Sequence, residues 1–142
     1  MRVSTPVLEG LERRAAELAE SRNSLAERYL AEGVRMDEHP DIHFRGSALG
    51  RSPTIVGTRL EVWRVMDTVR NSENSVDEAA EYLGVPPGKV RAAVRYYAAY
   101  RDEVDNLARR AITLAERAEA AWRAEQEVLA GWRCCSTSTS PE

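Results

Sequence analysis

The sequence predicts a small, mostly α-helical protein. Apolar residues recur at helical spacing through most of the chain, with short polar breaks between the segments. β-prone residues concentrate in two triplets near the middle, Ile42-His43-Phe44 and Thr54-Ile55-Val56. A length of 142 residues is that of about one domain. We therefore expect one helical core with a small β element inside the chain.

Residues 1–36 are predicted to form a short strand followed by a helical hairpin. Residues 2–5 are an extended candidate that stops at Pro6, whose fixed φ suits the first turn of a helix. A polar break at residues 21–24 ends this first helix. Ser24 and Glu27 have the spacing of a capping box, which predicts that a second helix opens there.

Residues 37–57 are predicted to be a small β hairpin or an extended linker. The segment opens on turn-forming residues at 37–41, and Gly46 and Gly50 lie between its two β-prone triplets. The residues themselves leave both alternatives open.

Residues 58–102 are predicted to form a helix-turn-helix unit of three helices. Thr58 with Glu61, and Ser75 with Glu78, have capping-box spacing. Gly84 begins a tight turn that leads into the third helix. Small and apolar residues at the expected crossing favour a helix-turn-helix over residues 76–95.

Residues 103–132 are predicted to form one long helix that binds a partner. Nothing in this stretch breaks a helix, and apolar or small residues recur in heptad fashion. The residues that we expect to contact a partner are Leu107, Ala111, Leu114, Ala118, Trp122, Val128 and Trp132, in a stripe that Val104 begins. The alternative is that the helix folds back onto the chain's own core. The Ser- and Thr-rich residues 133–142 are predicted to be a disordered tail.

Composition excludes several classes of protein. The net charge of -3 does not fit a surface shaped throughout for nucleic acid, so any nucleic-acid face must be local. No apolar run reaches the length of a membrane span or a signal peptide, and we expect a cytoplasmic protein. Because Cys134 and Cys135 are adjacent, they predict neither a disulfide scaffold nor a zinc site.

The sequence contains no pattern that indicates an enzyme or a cofactor. There is no nucleophile beside a base, no pair of carboxylates in an apolar setting and no Gly-rich phosphate loop. His39 and His43 lie four residues apart among acidic residues, but Pro40 between them argues against a metal site on one helical face. Trp63 and Tyr97 lie at core spacing, which favours packing over stacking on bases.

The predicted helix-turn-helix is one candidate for DNA contact. Its second helix begins with Pro86, Pro87 and Gly88, which offer no side-chain donors. Contact with DNA therefore falls to Lys89, Arg91 and Arg95. The alternative is a helical pair that only packs.

The N-terminal strand and two helices, with Arg2-Val3-Ser4-Thr5 in the ribbon position, resemble the ribbon-helix-helix repressors. In that superfamily, two chains pair their strands into a ribbon that enters the major groove. The resemblance implies a homodimer in which Arg2 and Ser4 face DNA, while amides near Asn23 and Ser24 hold a phosphate. The alternative is an ordinary helical hairpin.

The middle of the chain resembles a further family. The run Gly50-Arg51-Ser52-Pro53-Thr54-Ile55-Val56-Gly57-Thr58-Arg59 is similar to the signature of the domain of unknown function 433, and the resemblance extends over roughly residues 42–105. It implies an antitoxin of the VapB type, which pairs with a ribonuclease toxin and represses its own operon. We expect Arg59 to pair with a carboxylate or, less readily, with a phosphate.

Taken together, these patterns predict an antitoxin that binds operator DNA and a toxin protein. Two alternatives remain: a free-standing transcription regulator whose C-terminal helix forms a homodimeric coiled coil, and a scaffold that never contacts DNA.

Overall fold

A computed structural model describes residues 2–135 of the chain. The elements are, in order, α1 (Thr5–Leu18), α2 (Arg22–Glu38), β1 (Ile42–Ser47), β2 (Gly50–Ile55), α3 (Val62–Asn71), α4 (Val76–Leu83), α5 (Pro87–Ala99) and α6 (Arg101–Cys135). The protein is mostly helical, with one small antiparallel hairpin and a long C-terminal helix, as the sequence predicts. None of the helices in the described part of the chain is long and apolar enough to cross a membrane.

The hairpin belongs to the hydrophobic core. Ile42 of β1 is paired with Ile55 of β2, and both side chains are buried against the helices. Tyr96 of α5 is fully buried, and Val104 carries the core into the first turns of α6. Of the two alternatives for residues 37–57, the hairpin is therefore correct, and it packs against α3 and α5 rather than tethering separate units.

The N-terminal hairpin begins its second helix earlier than predicted. Ser21 is the N-cap of α2, and its hydroxyl accepts a hydrogen bond from the Ser24 amide at 3.1 Å. The predicted cap at Ser24 is therefore wrong. α1 ends at Leu18, so the chain needs only a short turn before α2. Ser21, rather than Ser24, is therefore in the N-cap position.

Residues 2–4 form no strand, although the sequence predicted one there. The backbone at Ser4 is extended, but a strand requires a hydrogen-bonding neighbour, and the described chain supplies none at this point. A ribbon would need a second chain.

Of the two N-caps predicted in the middle of the chain, at Thr58 and Ser75, one forms. Ser75 caps α4 by accepting a hydrogen bond from the Glu78 amide at 3.2 Å, as predicted. Thr58 does not cap α3, which begins four residues later with Glu61 at the N-cap. The Thr58 hydroxyl instead donates to the Ile55 carbonyl at 2.9 Å and accepts from the Leu60 amide at 3.0 Å. It thus stabilises the turn that leaves β2.

The long C-terminal helix has two parts. Val104 and Leu107 are buried in the chain's own core. From Ile112 onward nearly every side chain is exposed, up to Arg133. The predicted tail at residues 133–142 lies mostly outside the described residues, and its first three residues continue α6.

Candidate partner and nucleic-acid interfaces

The helix-turn-helix is present as α4, a turn at Gly84, and α5. Ala79 and Ala80 are buried where the two helices pack together. Gly84 has a φ of 66°, a left-handed conformation that glycine adopts without steric cost, and it ends α4. α5 then begins after Pro86, which contributes no side-chain hydrogen bond at the helix start.

The structure brings two of the three predicted DNA-contacting cations together around one carboxylate. Lys89 Nζ lies 3.2 Å from Asp41 Oδ1, and Arg95 Nη2 lies 4.0 Å from Asp41 Oδ2. Arg91 is exposed and makes no ion pair within the described residues. Asp41 therefore competes with any phosphate for two of these side chains. No sequence pattern indicated this contact, because Asp41 and Lys89 are 48 positions apart.

The predicted N-terminal DNA contacts lie on exposed backbone and helix ends. Arg2 and Ser4 are exposed ahead of α1, and Asn23 and Ser24 are exposed in the first turn of α2. The Ser24 amide is already bonded to the Ser21 hydroxyl, so this N–H is not free to hold a phosphate. These residues are on different elements from Lys89, Arg91 and Arg95.

The predicted partner-binding stripe on α6 is only partly accessible. Leu107 is 6% exposed and contributes to the core, so it is not available to a partner as predicted. Ala111 is half-buried, and Leu114 and Ala118 are exposed. Farther along, Trp122 is 59%, Val128 is 52% and Trp132 is 67% exposed.

A groove of about 370 Å³ lies at the base of this stripe. The tip of the β hairpin and the start of α3 form one wall, and Ala111, Leu114 and Ala118 form the other. Trp63 lines the groove, and its indole Nε1 donates to Glu61 Oε2 at 2.6 Å, which fixes the ring. The sequence predicted core packing for Trp63, and the ring does pack against the hydrophobic core. Helical spacing could not show that the same side chain also lines a groove against α6.

A polar network joins the N-terminal hairpin to the rest of the protein. Arg51 of β2 binds Glu32 of α2 through two hydrogen bonds of 3.0 and 2.6 Å. The Arg35 guanidinium pairs with Glu103 and lies 4.6 Å from the centre of the Tyr100 ring. The Tyr96 hydroxyl donates to Glu103 Oε1 at 3.1 Å. Burial, followed by the negative charge of Glu103, raises the pKa of Tyr96, which keeps the hydroxyl a donor.

Two residues considered in the sequence analysis, Arg59 and His39, have surroundings that the sequence did not indicate. Arg59 is exposed and pairs with no carboxylate among the described side chains, so its predicted structural ion pair is not present. The His39 ring packs edge-on against Tyr96 and Tyr100, with centroid distances of 5.2 and 5.9 Å. Within residues 2–135, no three His, Cys, Asp or Glu side chains are grouped so that they could hold a metal ion.

Comparison with known families identifies the central unit. Neither the curated proteins nor the solved structures contain a match to the chain. Residues 42–97 match the model of a family described as "Protein of unknown function (DUF433)". The match begins at the first residue of β1 and ends within α5, so it spans the hairpin and the three helices that pack with it. The hairpin and helix-turn-helix unit of this protein are therefore similar to that family.

Proposed function

We propose that this protein is the antitoxin of a type II toxin-antitoxin pair, of the VapB type, and that α6 binds and neutralises a ribonuclease toxin. The observation that carries the proposal is the apolar face that α6 exposes beyond the core. Leu114, Trp122 and Val128 are 43%, 59% and 52% exposed along one stripe of a single helix. Exposed apolar surface of this kind marks a site for a protein partner.

The base of the stripe offers a seat for the partner. Ala111, Ala115 and Ala118 are small, so the groove between α6 and the hairpin tip admits close approach of another backbone. The fixed indole of Trp63 supplies a rigid apolar wall. Farther along, Trp122 is the large anchor, and tryptophan is enriched among the residues that dominate binding energy.

Charge also bears on the kind of partner. The outer part of α6, residues 112–133, carries Glu116, Glu119, Glu125 and Glu127 against Arg117, Arg123 and Arg133, a small acidic excess. A toxin that cleaves RNA presents a basic surface to its substrate, and the glutamates of this helix can pair with such a surface. In this proposal, α6 covers the surface that RNA would occupy.

The proposal includes repression of the antitoxin's own operon by DNA binding. Arg2 and Ser4 are exposed and stand ahead of α1, where a second chain would supply the missing strand of a ribbon. Arg91 on α5 is exposed as well. A homodimer would present each of these groups twice, matching the two half-sites of an operator.

Co-expression with the toxin encoded beside this gene tests the proposal. A chain ending at residue 118 keeps every buried core residue of α6 but lacks Trp122 and Val128. We expect it to fold and to lose neutralisation. Trp122→Ala should weaken toxin binding by about 30-fold, which corresponds to the roughly 2 kcal/mol of an interface hot spot.

Ile112→Ala is the matched control. Ile112 is as exposed as Trp122 and is on the same helix, but it lies outside the stripe. We expect it to leave toxin binding unchanged. If the shortened chain still rescues cells that express the toxin, α6 is not the neutralising element.

The heptad spacing of α6 favours a second candidate, a free-standing homodimeric transcription regulator. In that case the stripe is covered by α6 of a second copy. The purified chain alone would then be a stable dimer that Trp122→Ala dissociates, and no toxin would co-purify with it.

A further inference from the structure

A basic groove lies beside the hairpin tip at the base of α6. Its volume is about 360 Å³, and its cationic lining residues are Arg109, Arg110 and Arg117. The remaining lining residues are Ala48, Leu49, Thr113 and Leu114, so no acidic side chain faces this space. A concave site whose charged lining residues are all cations is typical of an anion-binding surface.

The charges of this groove are not neutralised by neighbours. Arg110 donates to the Leu49 carbonyl at 2.6 Å, and Arg109 donates to the Asn106 side-chain oxygen; both acceptors are neutral. No carboxylate lies within ion-pair distance of Arg109, Arg110 or Arg117 in the part of the chain that the structure describes. Three guanidinium groups therefore remain available to an external anion.

Arg110 also faces a second space. The same side chain lines a cleft of about 430 Å³ between α2, the hairpin and α6. The three other arginines that line this cleft each pair with a carboxylate: Arg28 with Glu20, Arg35 with Glu103 and Arg51 with Glu32. The cleft therefore adds no unpaired positive charge to that of the groove.

The spacing of the arginines suits an extended anion. Arg110 and Arg117 are about two helical turns apart on the same face of α6, which places them about 10 Å from each other along the axis. A single phosphate group cannot span that distance, whereas a sugar-phosphate backbone presents phosphates in a row. Arginine also binds phosphate oxygens through two parallel hydrogen bonds.

We propose that this groove, built from Arg109, Arg110 and Arg117, contacts successive phosphates of duplex DNA. It positions the protein on DNA, while other elements read the bases. This inference rests on the DNA-binding part of the proposed function and extends it to a surface on α6 that the helix-turn-helix does not include.

The test measures binding to a fluorescein-labelled DNA duplex of arbitrary sequence over a series of salt concentrations. The full-length parent protein is compared with the triple variant Arg109→Gln/Arg110→Gln/Arg117→Gln. Each lost phosphate contact should reduce the slope of log affinity against log salt by about 0.9, so we expect a reduction approaching 3 in the triple variant. The double variant Arg109→Gln/Arg117→Gln keeps the bond from Arg110 to Leu49, and it should lose close to 2.

The triple variant Arg101→Gln/Arg123→Gln/Arg133→Gln is the matched control. It removes the same charge from the same helix, but none of these residues lines the groove. We expect its slope to stay close to that of the parent protein. Inorganic phosphate, added at constant ionic strength, should not displace the duplex.

The inference is overturned by equal slopes in the groove and control variants, by a parental slope in the double variant, or by displacement of the duplex by inorganic phosphate. If the parent protein binds no duplex even at low salt, the inference fails together with the DNA-binding part of the proposed function. Toxin neutralisation is measured separately and stands or falls on its own result. If the groove variant binds DNA like the parent, the groove does not contact DNA, and the rest of the proposed function is unaffected.

Discussion

At the scale of single residues, Asp41 decides how much of the helix-turn-helix is available to DNA. Its backbone carbonyl accepts a hydrogen bond from the Val56 amide at 2.8 Å, which fixes the residue at the start of the hairpin. Its carboxylate faces Lys89 and Arg95. These side chains are partly exposed, so the ion pairs contribute at most about 1 kcal/mol to stability. Their larger effect is on the charge that α5 presents.

Asp41→Asn should tighten binding to duplex DNA if α5 contacts phosphates. The change frees two cations, and we expect a several-fold gain in affinity at low salt that disappears at high salt. Fluorescence anisotropy measures the effect. Asp67→Asn, an exposed site on α3, is the control for net charge. Equal affinities in the Asp41 variant and the parent would mean that α5 does not contact phosphates.

His43 provides a pH-dependent contribution to stability. Partial burial, and then the charges of Arg45 and Arg51, lower the pKa of His43 below its ordinary value of 6.5. Below pH 6.5, His43 is therefore protonated more readily in the unfolded chain than in the folded chain. The stabilisation is complete above that pH and is lost as the pH falls toward the lowered pKa of the folded state.

His43→Gln should remove this part of the pH dependence. We expect the melting temperature of the parent to fall more steeply than that of the variant when the pH is lowered from above 7 through 6.5. Thermal unfolding followed by circular dichroism measures both curves. Parallel curves would show that His43 titrates alike in the folded and unfolded states.

At the scale of elements, the turn between α4 and α5 depends on one backbone conformation. Gly84 ends α4 at a φ of 66°, and the Val85 amide then donates to the Ala80 carbonyl at 3.0 Å. This bond satisfies a carbonyl that the helix end would leave unpaired. A Cβ atom at Gly84 would meet no atom within 4 Å, so strain in the backbone, rather than a clash, opposes substitution.

Gly84→Val should lower the free energy of unfolding by about 1 to 3 kcal/mol, because a β-branched residue is strained at this φ. Gly88→Ala is the contrasting variant. Gly88 is in the first turn of α5 with open space around it, so alanine should be neutral or stabilise by up to about 1 kcal/mol. Urea unfolding measures both. A parental stability for Gly84→Val would rule out the left-handed turn.

At the scale of the whole molecule, polar side-chain contacts attach the N-terminal hairpin to the rest of the protein. The contacts come mainly from α2, whose Glu32 binds Arg51 and whose Arg35 binds Glu103. The Tyr100 hydroxyl also donates to Glu38 at 2.7 Å. Several exposed apolar side chains remain on α1 and α2, including Val7, Tyr29 and Leu30. The attachment therefore depends on a few polar contacts more than on a continuous apolar core.

Glu32→Ala should loosen this attachment. The Glu32 side chain is 9% exposed while that of Arg51 is 40% exposed, so solvent screening limits the cost to about 1 to 3 kcal/mol. Hydrogen exchange should increase first in α1 and α2. Glu12→Ala, which breaks an exposed pair with Arg22, is the control and should cost below about 1 kcal/mol. Unchanged exchange in α2 of the Glu32 variant would contradict this description.

The sequence by itself determined the features that depend on near neighbours. The helical periodicity, the β-prone triplets on either side of Gly46 and Gly50, the cap at Ser75 and the turn at Gly84 are all present in the structure. Each is decided by contacts between residues a few positions apart, and spacing along the chain records such contacts directly. Helical spacing also located the stripe on α6 that is exposed from Leu114 onward, whereas the family segment was found by the resemblance of residues 50–59 to a known signature.

Only the tertiary structure decided the features that depend on distant residues. Capping-box spacing pointed to Ser24, with Glu27 three residues on, yet Ser21 caps α2. The Thr58 hydroxyl bonds within the turn that leaves β2 instead of capping α3. Asp41 contacts Lys89 across 48 positions of the chain, and Arg110 contacts Leu49 across 61. No pattern of neighbouring residues could therefore predict the ion pair at Lys89 or the wall that the hairpin tip gives to the basic groove. Leu107 shares a heptad position with Val128, but packing buries the first and leaves the second exposed, because the core ends between them.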